Sequence, residues 1–126
     1  MSQDLISAWK ERGIALDALG RYEEAIDSFD EVFKIDPPGW TEYGRASFYS
    51  DALNLKGEAR SHSTRYGDAI ICYDKAINLD PEYSFPYYNK AIALSKMGLN
   101  DEAMLWYEKS LEISPWHSEC WHNAGK

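Results

Sequence analysis

Apolar and small residues return along this chain at intervals of three and four. Ala25, Phe29 and Val32 form one row, Ala69, Tyr73 and Ala76 a second, and Ala103, Tyr107 and Ser110 a third. Positions so spaced lie one turn apart on the same side of a helix, the pattern of helices that pack against other helices. Within each row a small residue leaves a socket, and an aromatic four residues on fills space beside it. Twelve residues before each alanine stands Gly13, Gly57 or Ala91, where a short or missing side chain lets a second helix come close. The pattern therefore predicts helices in pairs. Pro37, Pro81 and Pro115 stop them, because proline cannot continue a helix and pushes the preceding residue out of the helical region. Gly20 and Gly98 mark the turns inside the first and third pairs, since glycine takes a left-handed backbone without steric penalty, while Ser63-Thr64-Arg65 closes the second less cleanly. The predicted helices run over 7–19 and 23–35, 50–62 and 67–79, and 84–97 and 101–113, which makes the fold all-α.

The rows belong to a longer repeat. Tyr22-Glu23-Glu24-Ala25-Ile26 is echoed by Tyr66-Gly67-Asp68-Ala69-Ile70 and, more loosely, by Asn100-Asp101-Glu102-Ala103-Met104. Pro81 and Pro115 are 34 residues apart, whereas Pro37 and Pro81 are 44 apart. The excess of ten falls at residues 40–49, which contain Trp40, Tyr43, Phe48 and Tyr49. Either the first helix of the second pair is lengthened at its start, adding about 15 Å, or the insertion is a structured loop. In both cases its aromatics are candidates for a binding platform as well as for packing.

This helix-turn-helix period, with Trp9, Gly13, Ala25, Phe29 and Pro37 in the first unit, resembles the tetratricopeptide repeat. Leu53, Gly57, Ala69, Tyr73 and Pro81 fill the same places in the second unit, and Tyr87, Ala91, Ala103, Tyr107 and Pro115 in the third. Three matches in register are specific where one would mean little. The resemblance implies a right-handed superhelix of antiparallel helix pairs. Its units would be 6–39, 50–83 and 84–117, with 40–49 inserted and 118–126 the first helix of a truncated fourth, all in a single array over 1–126. Trp121 and Gly125 take the large and small places of that fourth unit. Trp116 and Trp121 would leave an apolar end rather than a polar cap, which predicts a piece of a longer array and self-association through the C-terminal helix.

In the tetratricopeptide family the first helix of every pair lines a concave groove that receives peptides. By register the groove candidates are Ser7, Lys10, Glu11, Ile14 and Asp17 in the first unit and Asp51, Asn54, Leu55, Glu58 and His62 in the second. The third contributes Phe85, Tyr88, Asn89, Ile92 and Lys96, and the partial fourth Glu119, His122 and Asn123. Asn89 and Asn123 are one period apart, so their amides could hold the backbone of an extended chain, or could simply face solvent in the groove. Acidic members of the candidate set outnumber basic ones, so the wall leans negative. Relatives that bind the acidic tails of chaperones use a clamp of lysines, an arginine and asparagines. Here Lys10 fits the first lysine, but Ile14, Leu55, Phe85 and Asn89 stand where the other clamp residues belong. The expected ligand is therefore a neutral or basic, partly apolar protein or peptide rather than an acidic tail.

The remaining chemistry narrows the picture further. Thirteen basic and twenty-one acidic residues leave a net charge of −8, which repels phosphate backbones and anionic lipid surfaces, so neither nucleic acid nor membrane is an expected partner. Charges interrupt every apolar stretch well short of a membrane span, and the first residues do not form a secretory signal, which together predict a cytoplasmic protein. Cys72 and Cys120 are distant in sequence and read as free thiols. His117, Cys120 and His122 are zinc-binding types, yet no second pair completes a four-ligand site. Paired carboxylates such as Glu23-Glu24 stand at helix starts, where the helix dipole favours them. No nucleophile with a base, no phosphate loop and no cofactor motif emerges, so the chain is expected to bind rather than to catalyse. The two functional readings are a peptide or protein interaction scaffold and a structural element for self-association or domain docking.

Overall fold

The computed structural model describes residues 2–35 and 42–113. Six helices follow one another: α1 (Ser2–Ala18), α2 (Tyr22–Val32), α3 (Glu42–His62), α4 (Tyr66–Leu79), α5 (Phe85–Lys96) and α6 (Asn100–Ile113). There is no strand among the described residues. The pairs α1–α2, α3–α4 and α5–α6 pack most extensively, as short turns between consecutive helices require.

The socket and its filler explain the pairing. A Cβ on Gly57 would stand 2.5 Å from Cε1 of Tyr73, and one on Gly13 would stand 2.7 Å from Cδ1 of Phe29. Each aromatic ring thus lies directly on the backbone of the partner helix, and both rings are about as buried as any side chain in the molecule, at 1% exposure. Ala25 is buried beside Phe29 and Ala69 beside Tyr73, and Ala103 is buried with Ala91 and Leu94 in the third pair. The cores are continuous across pair boundaries: Ile26 of α2 clusters with Ala59 of α3, and Tyr73 of α4 with Ala93 of α5.

All three pairs close with one turn geometry. The N–H groups of Gly20, Thr64 and Gly98 reach back three residues, to the carbonyls of Asp17, Ser61 and Ser95, and the next N–H reaches back five, to those of Leu16, Arg60 and Leu94. That double bond is the Schellman termination, and it needs a left-handed residue. Gly20 and Gly98 supply it at φ 81° and 85°, and Thr64 adopts it at φ 68° despite its branched side chain.

Two boundaries differ from the periodicity. Helix α1 starts at Ser2 instead of residue 7, because Ile6 is fully buried against Val32 and Ala52 and draws the first turn into the core. Helix α2 ends at Val32, and Phe33, Lys34 and Ile35 turn through bonds to carbonyls three residues back as the chain nears Pro37. The insertion is helical from Glu42 onward, lengthening α3 to 21 residues. Phe48 and Tyr49 pack onto the Ile6–Val32–Ala52 cluster, and the Tyr49 hydroxyl donates to the Ile35 carbonyl. Trp40 lies outside the described residues.

Curvature follows from which helices touch. Helix α1 packs on α3, and α3 on α5, while among the described residues no contact of that extent joins α2 to α4 or α4 to α6. A layer whose members stand closer together is the inner side of a bend, so α1, α3 and α5 form the inner wall. Among the ion pairs that tie successive pairs together are Lys56 to Asp30 at 2.6 Å and Lys90 to Asp74 at 2.7 Å. No helix among the described residues is long and apolar enough to cross a membrane.

Candidate functional site

The inner wall carries a nearly continuous line of polar contacts between helices. Lys10 of α1 pairs with Asp51 of α3 at 2.7 Å, and its ammonium lies 5.4 Å from the Phe48 ring centre. Asp51 also accepts a hydrogen bond from the Tyr83 hydroxyl at 2.8 Å. One turn along α3, Asn54 is buried and accepts from the Asn89 side-chain amide at 2.8 Å, and that amide also donates to Glu58 at 3.1 Å. Farther along, a ring nitrogen of His62 lies 2.9 Å from both carboxylate oxygens of Asp17. These bonds place α1, α3 and α5 side by side and engage Asp17, Asp51 and Glu58.

Burial raises the Glu58 carboxyl above the ordinary glutamate range, against the lowering effect of the Asn89 hydrogen bond and of His62. The Tyr83 phenol is likewise pushed up by burial and by the charge of Asp51, so it stays a donor. Lys10 on this wall is thus paired with Asp51, while Glu58 is held by the Asn89 amide and makes no ion pair among the described residues.

The groove candidates fall into three groups. Ile14, at 37% exposure, and Phe85, at 43%, stand open to solvent. Tyr88 and Ile92 are half-buried, with the Tyr88 ring 5.9 Å from that of Tyr107. Lys10, Asn54, Glu58 and Asn89 belong to the polar line. The expectation of a free Asn89 amide needs revision: Asn89 is 8% exposed and both its N–H groups are spent on Asn54 and Glu58. Leu55 packs onto the Leu16–Ile26 cluster instead of facing the groove. Glu119, His122, Asn123 and the His117–Cys120 group lie outside the described residues. Cys72 is a free, buried thiol whose pKa is raised by that burial. Among the described residues no group of three or more His, Cys, Asp or Glu is placed to hold a metal ion.

Sequence reasoning missed two features. The Lys56–Asp30 and Lys90–Asp74 pairs were in principle legible, since the lysines are 34 residues apart and each aspartate stands five residues after its alanine. Tyr83 lies in the turn before α5 and carried no register signal.

Two cavities open beside the wall. One, of about 430 Å³, is lined by Gly44, Ser47, Phe48, Asp51 and Tyr83, and the other, of about 270 Å³, lies between α3 and α5 over Glu58.

Stacked helix pairs with an inner wall of first helices define a helical-repeat solenoid. Models of the tetratricopeptide repeat match residues 6–37, 50–83 and 72–104. This chain belongs to the tetratricopeptide repeat family. Among curated proteins it is similar to the DnaJ homolog subfamily C member 7 homolog of Dictyostelium discoideum, with 30% identity over 102 residues that make up 81% of this chain and 18% of that protein. The chain therefore spans less than a fifth of that relative. Among solved structures, the Sgt2 TPR domain from Aspergillus fumigatus superposes with a TM-score of 0.74 at 25% identity, covering 87% of this chain and 66% of that one. The first TPR of Spaghetti (RPAP3), bound to the HSP90 peptide SRMEEVD, does so at 0.75 and 21% identity, covering 89% and 83%, and shares the fold.

Proposed function

We propose that this chain is a protein-interaction module whose inner wall receives an extended protein segment of neutral or basic, partly apolar character. The observation that carries the reading is the wall itself: Ile14 of α1 and Phe85 of α5 are exposed on the helices that carry the polar line, and Lys10 in that line is taken up by Asp51. A fold neighbour solved with a bound peptide supports a segment-binding role. That peptide, SRMEEVD, is acidic, and here Lys10 is committed to Asp51 while Glu58 makes no ion pair among the described residues. An acidic segment would meet like charge, whereas a basic one would find complement.

The test has two arms. Titration with SRMEEVD should show millimolar or weaker binding, and low-micromolar affinity would overturn the charge preference. Selection from a display library of random linear peptides should yield binders that the double substitution Ile14→Ser, Phe85→Ala abolishes. Both residues are exposed, so the variant keeps its fold, which circular dichroism checks. Binders indifferent to that change would remove the groove reading.

A second reading has its own observation. Met104 occupies on α6 the place that Ile26 and Ile70 occupy on α2 and α4, where they join cores shared with the next pair, yet Met104 is 58% exposed with Leu105 beside it. Self-association through this face would appear in sedimentation as a concentration-dependent dimer that Met104→Glu dissociates.

A further inference from the structure

The smaller cavity is built around one carboxylate. It lies on the inner wall between α3 and α5, with Glu58, Tyr66, Asn89 and Ile92 in its lining and His62 and Lys96 exposed at its edge. At about 270 Å³ it falls just below the roughly 300–1,000 Å³ of pockets that enclose whole small molecules, and it suits one long side chain. Glu58 accepts a single hydrogen bond, from Asn89, and makes no ion pair among the described residues. His62 bonds to Asp17, and Lys96, although it borders the cavity, does not pair with Glu58. A half-buried carboxylate held by one neutral donor retains lone pairs for a charged donor, and a low local dielectric strengthens that pairing.

We infer that this cavity is a subsite for a lysine or arginine side chain of the bound segment, its aliphatic stem lying along Tyr66 and Ile92 and its cationic head meeting Glu58. The inference rests on the groove reading and adds to it the chemistry of one position. The shape fits the chemistry, because long basic side chains bury an apolar stem and carry the charge at the tip. No fixed basic position follows from net charge alone, since surface attraction to an acidic protein is spread over the ligand and is screened by salt.

The probe is a binder taken from the random-peptide selection. It is expected to carry Lys or Arg at one shared position, and exchange of that residue for norleucine should weaken binding about tenfold or more. Glu58→Gln should weaken the parent peptide by a similar factor and leave the norleucine peptide unchanged, so that the two changes do not add. Glutamine still accepts from Asn89, which favours a folded variant, and the norleucine exchange tests the subsite even if it does not fold. Peptides that depend on Ile14 and Phe85 but lack a shared basic position, or that bind Glu58→Gln as well as the parent, would overturn the subsite while leaving the groove reading in place. Peptides indifferent to Ile14 and Phe85 would overturn both.

Discussion

The seams inside each helix pair and the wall across the pairs are made by opposite means. Inside a pair, an aromatic ring lies on bare backbone, Phe29 on Gly13 and Tyr73 on Gly57, with no room for another carbon. Across the wall, helices meet through Lys10–Asp51, Asn54–Asn89 and His62–Asp17, with cavities left between them. Close packing of apolar groups supplies stability and tolerates little change. A half-exposed polar line contributes little net stability and leaves varied side chains at the surface. On the proposed reading, stability and recognition are encoded in different residues, and substitutions should separate them.

The largest effect is expected inside a pair. Tyr73→Ala should cost about 3–5 kcal/mol in a denaturant titration, as removal of a large buried ring does. Next come two glycines on successive helices. Gly57→Ala should destabilise by about 1–3 kcal/mol through overpacking, whereas Gly67, where a Cβ would meet nothing within 4 Å, should gain about 0.5 kcal/mol as alanine. Equal responses at the two sites would deny that the ring rests on Gly57. Thr64→Gly should then stabilise by about 0.5–1 kcal/mol, since it relieves the left-handed strain of a branched residue at some cost in unfolded-state entropy.

The smallest effect is on the wall, and its sign depends on pH. Folded Glu58 holds its proton above the range in which the unfolded chain releases it, so ionisation opposes the fold. Asp17 of α1 and Asp51 of α3 reinforce that rise and His62 opposes it, while Tyr73 of α4 and Lys96 of α5 complete the surroundings. Glu58→Gln should match the parent in thermal unfolding in acid and exceed its melting temperature at neutral pH, with the gap opening as pH climbs from the ordinary glutamate range through the raised value. A variant less stable than the parent at neutral pH would mean that the carboxylate contributes more than its burial costs.

The difference between seam and wall also decides what could be read from sequence. Gly13, Ala25 and Phe29 recur with their counterparts at a fixed offset, because every pair must solve the same packing problem, so repetition exposes them. Thr64 was harder, since only its alignment with Gly20 and Gly98 reveals the left-handed turn. The Asn89 bonds to Asn54 and Glu58 join residues 35 and 31 apart, and their partners depend on how far one pair rotates against the next. Repetition says nothing of that angle, and so the register could put Asn89 and Asn54 on neighbouring first helices without showing that their amides bond to each other. The start of α3 was ambiguous for a related reason: an insertion belongs to one unit and has no echo to compare.

That lengthened helix has a consequence for how the molecule comes apart. Helix α3 bears on α1, α2, α4 and α5 at once, as a keystone does, and its early turns grip the opening of the array through Phe48 and Tyr49. Uniform rows of repeats fray from either end one module at a time. Here the first two pairs should melt as a single body, so amide exchange among the described helices would be slowest in the middle of α3.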